Sequence, residues 1–353
     1  MKKMLLNCLP LLLAGAVAAG TLLQPVAARA AVASTAMQWS SSAFSDNSQA
    51  VEHVTIRGQN SAGHATFVRF SVANAGFKRG TLQVTFRQES PQGTFYGEES
   101  YTKGNYTVSG GKLSIVAGKH SLAVNAGVLT ANFDYGHTTA TVTLTSGMTP
   151  FSVVDKGGDG YIWRELSAPM GKIAVSCTSG AKKYDATGTA FAVHEASTVT
   201  AHQIYDKALR VSSFGGAFVL VDYIVLPKSR GNRPLGFLVV TGKGAYFAGE
   251  VTKEVREAEK VESGTDYRVP YLINILAKRG GARAAIKLTG EKQVGREDDL
   301  ADLNWAARKA VGALMHPITY TIKAAAAIEV QAKAEEPAVV LDAAVRYKYA
   351  QTR

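Results

Sequence analysis

From about residue 50 onward the chain alternates apolar and polar side chains with a period of two. Leu82, Val84 and Phe86 are separated by polar residues, as are Leu129, Ala131 and Phe133, and then Val142 and Leu144. Glycines interrupt the pattern at Gly93, Gly97, Gly104 and Gly110-Gly111. Strict alternation broken by turn residues predicts antiparallel strands with one buried face. Seven or eight such segments fall between Ala50 and Val154.

The second half, beginning near Gly160, is also β-rich. Ala217–Leu226 and Leu235–Thr241 are almost unbroken apolar runs, which predicts strands covered on both sides. Gly242-Lys243-Gly244 reads as the turn into a further strand, Ala245–Val251. The clearest signal comes last. Ile318, Tyr320, Ile322, Ala324, Ala326, Ile328 and Val330 alternate without a break, then Glu335-Glu336-Pro337 intervenes, then Val339, Leu341, Ala343, Val345, Tyr347 and Tyr349 follow. Two long strands joined by a charged turn suit a barrel wall, and Ala324, Ala326 and Ala343 leave space on one face of it. One helix interrupts the series over about 298–315. Leu300, Leu303, Ala307, Val311 and Leu314 recur at three and four, Asp298 or Asp299 can cap its start, and Pro317 follows its end.

The N-terminus has a different character. Lys2 and Lys3 precede an uncharged run from Met4 to Ala28, led by leucines and closed by Ala28-Arg29-Ala30. This is the pattern of a cleavable secretory signal over residues 1–30, followed by a Ser/Ala-rich flexible leader over 31–50. Two β domains then follow, over 51–160 and 161–353. The expected location is periplasmic or secreted. Removing the signal takes three basic residues and no acid, and lowers the net charge from +11 to +8. It also leaves Cys177 as the one cysteine, so no intrachain disulfide is available. With 46% hydrophobic residues the chain can bury a core and is not disordered throughout. An outer-membrane barrel is a competing topology, but the chain ends Gln351-Thr352-Arg353 without a terminal aromatic, and 8% aromatics is little for two girdles.

Chemistry is sparse at the level of motifs. The seven histidines make no HxH, HxxxH or HExxH pattern, so no metal site is expected. There is no GxSxG elbow, and no cofactor is indicated. The richest polar cluster is Val193-His194-Glu195, with His202, Tyr205 and Asp206 shortly after. Asp222 and Tyr223 sit inside the apolar run, where a buried carboxylate needs a partner or a shifted pKa. An edge position facing water would remove the anomaly. His194 and Asp222 are therefore the catalytic candidates, if any reaction occurs. His194, Tyr205, Asp222, Tyr223, Trp163 and Tyr320 are the candidate ligand-binding residues. Basic residues bunch at predicted turns, Lys228, Arg230 and Arg233 in one group and Lys278, Arg279 and Arg283 in another. They are candidates for contact with an anionic membrane surface; the plain alternative is solvated turns. Nucleic acid is not an expected partner, since there is no aromatic RNP-like strand.

The second half resembles the fungal survival-factor proteins and, more distantly, the carotenoid 1,2-hydratase and AttH-like group. The resemblance is carried by Lys172–His194 (KIAVSCTSGAKKYDATGTAFAVH), Val211–Ser229 (VSSFGGAFVLVDYIVLPKS), Tyr267–Pro270, the helix Asp298–Leu314, His316–Tyr320 and the closing hairpin. The first half, ending in Asp159–Glu165 (DGYIWRE), matches in general pattern. The resemblance implies an all-β fold of two consecutive lipocalin-like antiparallel barrels that bind a lipophilic molecule. It further implies lipid transfer and stress survival for the fungal members, and proton chemistry by acidic residues for the hydratases. The export signal departs from the N-terminal amphipathic docking segment of the fungal group. The reading these observations favour is an exported, noncatalytic carrier of a lipid-like ligand, serving lipid transfer or envelope stress protection. The alternative is an acid–base enzyme (hydratase, cyclase or isomerase) acting on an apolar substrate in the same barrel cavity.

Overall fold

The computed structural model describes residues 49–352, apart from short stretches at 75–79, 110–112, 158–159, 200–203, 264, 299 and 334, and most of 302–315. The expected signal and nearly all of the leader lie outside the described residues, as does His202. Most of the expected helix does too, although Trp305, Lys309 and Gly312 are helical and the Asp298 side chain accepts the Leu300 N–H at 3.0 Å. Among the described residues no helix is long and apolar enough to cross a membrane.

The protein is all-β and lipocalin-like. Its strands fall into two compact units. The first unit is built from β1 (Val51–Asn60), β2 (Ala65–Ala73), β3 (Thr81–Ser90), β4 (Gly93–Tyr101), β5 (Tyr106–Val108), β6 (Ser114–Ala117), β7 (His120–Asn125), β8 (Val128–Asp134) and β9 (Thr138–Ser146). β10 (Phe151–Gly157) pairs with β11 (Gly160–Ser179), and β11 runs on with β12 (Lys182–Ser197) into the first sheet. The order is β4-β3-β2-β1-β12-β11-β9-β8-β7-β6-β5, a nearly closed barrel with β4 and β5 at its two ends. Ten strands precede residue 158 where alternation marked seven or eight. β5 and β6, at three and four residues, are too short for a period of two to register.

The boundary expected near residue 160 falls inside β11. The far part of that strand pairs with β9, Gly171 opposite Ser146 through Ser179 opposite Thr138. β12 pairs with β1 over ten residues. Residues 164–198 therefore group with the first unit, and the second takes 153–163 and the chain from Val199 onward.

The second unit is a closed barrel in simple chain order, formed by β13 (Lys207–Ser213), β14 (Phe218–Val225), β15 (Pro234–Gly242), β16 (Ala245–Val261), β17 (Arg268–Arg279), β18 (Ala282–Asp298), β19 (Ile318–Gln331) and β20 (Val339–Gln351). The predicted Gly242-Lys243-Gly244 turn is present. Lys243 and Gly244 both have positive φ (50° and 78°), as a tight hairpin whose twist matches its strands requires. The closing hairpin runs as the pattern predicts, Ile318 opposite Gln351 to Val330 opposite Val339. Its inward residues Ala324 and Ala326 stand opposite Val345 and Ala343, so this wall is thin.

Each unit has its own core. In the first, Val54, Ile56, Val68, Phe70, Val84, Phe86, Phe133 and Val142 pack together. In the second, Val221, Leu238, Phe247, Ile275, Ile286, Ile322 and Ile328 do so.

Candidate active site

A group of buried ionisable residues lies along one seam of the first unit, where β1, β12 and β11 run side by side. Six ionisable side chains are buried there: Glu52, His53, Arg164, Glu165, His194 and Glu195. The pleat sorts them. Val54, Ile56, Ala190 and Ala192 belong to the core, so Glu52 and His194, two residues away on the same strands, share that inward face. His53 and Glu195 stand directly opposite each other on the other face.

On the inward face His194 Nε2 lies 2.7 Å from Glu52 Oε1, with both side chains wholly excluded from water. Glu165 interacts electrostatically with His194 and accepts a 2.7 Å hydrogen bond from the Ser167 hydroxyl. Burial pushes the Glu165 carboxyl up to about 7, outweighing the Ser167 bond and the His194 ring, which both favour the ionised form. On the other face Glu195 is held by His53 Nε2 and, at 2.5 Å, by Arg164 Nε.

The strands approach closely at this seam. A Cβ on Gly188 would fall 2.2 Å from the Gln59 carbonyl oxygen, and one on Gly58 would fall 2.9 Å from Ala190 Cβ. Glycine at these positions lets β1 and β12 come together at the Asn60 end of their ladder. A carboxyl held near 7 beside an imidazole is a group able to give up or take up a proton near neutral pH. Among the described residues there is no set of three His, Cys, Asp or Glu side chains that could hold a metal.

The structure separates the residues singled out in the sequence. His194 is in the first unit; Asp222, Tyr205, Tyr223 and Tyr320 are in the second. Trp163, on β11, is half-buried. Asp222 is buried and carries the partner its burial demands, Arg210 Nε at 2.6 Å. It lies in a central strand, so the edge position that would have exposed it does not apply. It also sits on the opposite face from the core residues Val221 and Tyr223, and so does not enter the barrel interior. Tyr223 and Tyr320 do face inward, and the Tyr320 hydroxyl donates to Glu262 at 2.6 Å. Tyr205 is buried, its carbonyl accepting the Thr352 hydroxyl.

The basic groups behave differently from each other. Arg230 and Arg233 both clasp Asp155, at 2.5 and 2.7 Å, and Arg279 donates to the Ala248 carbonyl. Arg283 binds Gln331, while Lys228 and Lys278 are exposed. The β14–β15 and β17–β18 turns that carry the two groups are at opposite ends of the barrel, since successive antiparallel strands alternate in direction. One flat surface laid against a barrel end reaches one group and not the other. Glu52, Arg164 and Glu165 were not singled out by spacing. The available signal was the run VEHV at the start of β1, where two ionisable residues interrupt an apolar stretch.

No known protein-family pattern matches the sequence, nor does any curated protein. Solved structures do. CghA with Sch210972 is similar with a TM-score of 0.54 at 10% identity, over 86% of this chain and 88% of that one. An AttH protein (NE1406) from Nitrosomonas europaea aligns with a TM-score of 0.47 at 12% identity, over 93% and 99%. Kievitone hydratase from Nectria haematococca aligns at 0.45 and 9%, over 94% and 98%. At these identities the likeness speaks to the fold.

Proposed function

We propose that the protein is an acid–base enzyme acting on an apolar organic molecule, with Glu165 as proton donor and the His194–Glu52 pair as acceptor. One observation carries this reading: a buried carboxyl raised to about 7 stands next to a fully buried carboxylate–imidazole pair. Such groups cost stability when desolvated. A noncatalytic carrier needs apolar lining and few polar contacts, and gains nothing from six buried ionisable side chains on one seam. The like-folded CghA has been crystallised with Sch210972. Proton transfer of this kind serves hydration, cyclisation or isomerisation of an alkene or enone.

The test is deuterium uptake. The full chain is incubated in D2O with a panel of apolar alkenes and enones, and the recovered molecules are weighed by mass spectrometry. Wild type should label at least one of them, and Glu165→Gln and His194→Ala should not. Asp222→Asn, in the other unit, should label as wild type does. Absence of labelling across the panel, or a Glu165→Gln variant as active as wild type, refutes the proposal.

A further inference from the structure

Proton transfer between Glu165 and the His194–Glu52 pair leaves His53, Arg164 and Glu195 of the same seam without a part. All three are buried, Arg164 completely. They meet on one carboxylate. Glu195 accepts from His53 Nε2 through Oε2 and from Arg164 Nε through Oε1, the latter at 2.5 Å, so both of its oxygens are held. His53 stands directly opposite Glu195 in the β1–β12 ladder, and Arg164 reaches it from β11. A single carboxylate thus ties three strands together.

The places of these residues in the chain give the trio its meaning. His53 follows Glu52, Glu195 follows His194, and Arg164 precedes Glu165. Each member is therefore the immediate neighbour of one of the groups assigned to proton transfer. Neighbouring residues in a strand share a rigid peptide unit and point to opposite sides of it, so fixing one aims the other. Glu52 and His194 lie on strands that already pair with each other, Val51 opposite Ser197 to Asn60 opposite Gly188. Glu165 comes from a third strand and faces Ser167 and His194. Arg164 is the side chain beside it that binds this strand to Glu195.

We infer that Glu195 is a positioning residue: clasped by His53 and Arg164, it sets where β11 lies against β1 and β12, and so keeps the Glu165 carboxyl beside the His194 ring and away from water. Desolvating a guanidinium and a carboxylate offsets much of what their attraction returns, so the trio supplies geometry more than stability. The inference rests on the proton-transfer reading of this seam and identifies what holds its three strands in place.

NMR titration of the side-chain carboxyl carbons in the full chain tests it, with the Glu165 signal assigned by its loss in Glu165→Gln. Wild type should show a Glu165 midpoint of about 7. The double variant Arg164→Met/Glu195→Gln removes both charges together and leaves no buried ion without its partner, so the fold should persist. Its Glu165 midpoint should drop to about 6 or below, because water reaching the carboxyl relieves the burial that raises it. Loss of a nearby cation would by itself push a carboxyl the other way, so the sign separates loosening from a direct charge effect. Arg164→Lys keeps a charged donor for Glu195 and should stay at about 7. Arg210→Met/Asp222→Asn, the same change to an ion pair of the second unit, should leave the midpoint where it is in wild type. A folded double variant whose midpoint is unchanged or higher would overturn the inference, as would equal midpoints in the double variant and Arg164→Lys. So would a double variant that does not fold, which would make the trio a requirement of the fold rather than of the site. A wild-type midpoint near 4.5 would instead remove the proton-transfer reading, and the inference with it.

Discussion

Glu165 shows how much one buried carboxyl can govern. Its ordinary value is 4.5, and burial takes it to about 7 in the folded protein. A raised acid binds its proton more tightly when folded, so its contribution favours folding fully below about pH 4.5. That contribution fades as pH rises to about 7 and is gone above. The shift corresponds to on the order of 3 kcal/mol. Urea denaturation of wild type and Glu165→Gln at pH 4.5, 6 and 8 should show the variant gaining relative stability across that window. A constant difference would remove Glu165 from the account. His194 was legible as a candidate because it is a titratable residue inside an apolar strand. Its partner was not, because Glu52 lies 142 positions away and only the pairing of β1 with β12 brings them together. Asp222 illustrates the converse. An anomaly visible in AFVLVDYIVL is resolved by Arg210, twelve positions earlier across the β13–β14 hairpin.

Strands and their turns were the most readable elements, because a two-residue period repeated over ten or more positions has few other meanings. The closing hairpin follows its pattern residue by residue. What alternation conceals is its own interruption. A bulge between Val251 and Lys253, where β16 shifts register against β17, inverts the inward set of β16, and no local residue announces it. Nor does the sequence reveal how tightly strands approach. Gly188 looks like an ordinary strand glycine, yet a methyl there would meet the Gln59 carbonyl oxygen. Gly188→Ala should force β12 away from β1 and cost about 1–3 kcal/mol, as overpacking does. It should lower the denaturation midpoint. An unchanged midpoint would mean the strands part at no cost.

Two cores rather than one were foreseeable for a chain this long. The place of division was not, since β11 and β12 continue the alternation of their neighbours on either side. Their assignment to the first sheet is decided by long-range pairing with β1 and β9. Separate cores predict separate responses. Phe86→Ala, in the first, and Ile286→Ala, in the second, should each cost about 2–5 kcal/mol. Each should displace a different phase of a denaturant titration followed by circular dichroism. A single transition moved equally by both would show that the units fold as one body.

The two sheets also end differently. In the closed barrel every strand has two hydrogen-bonded neighbours. In the first, β4 and β5 follow one another across the short turn Thr102–Asn105, but no ladder joins them among the described residues. Swinging these strands apart ruptures no backbone hydrogen bonds between them, whereas parting any neighbouring pair in the closed barrel ruptures a whole row. The first sheet thus closes on two strands that each keep one hydrogen-bonded neighbour, a seam the second barrel does not have.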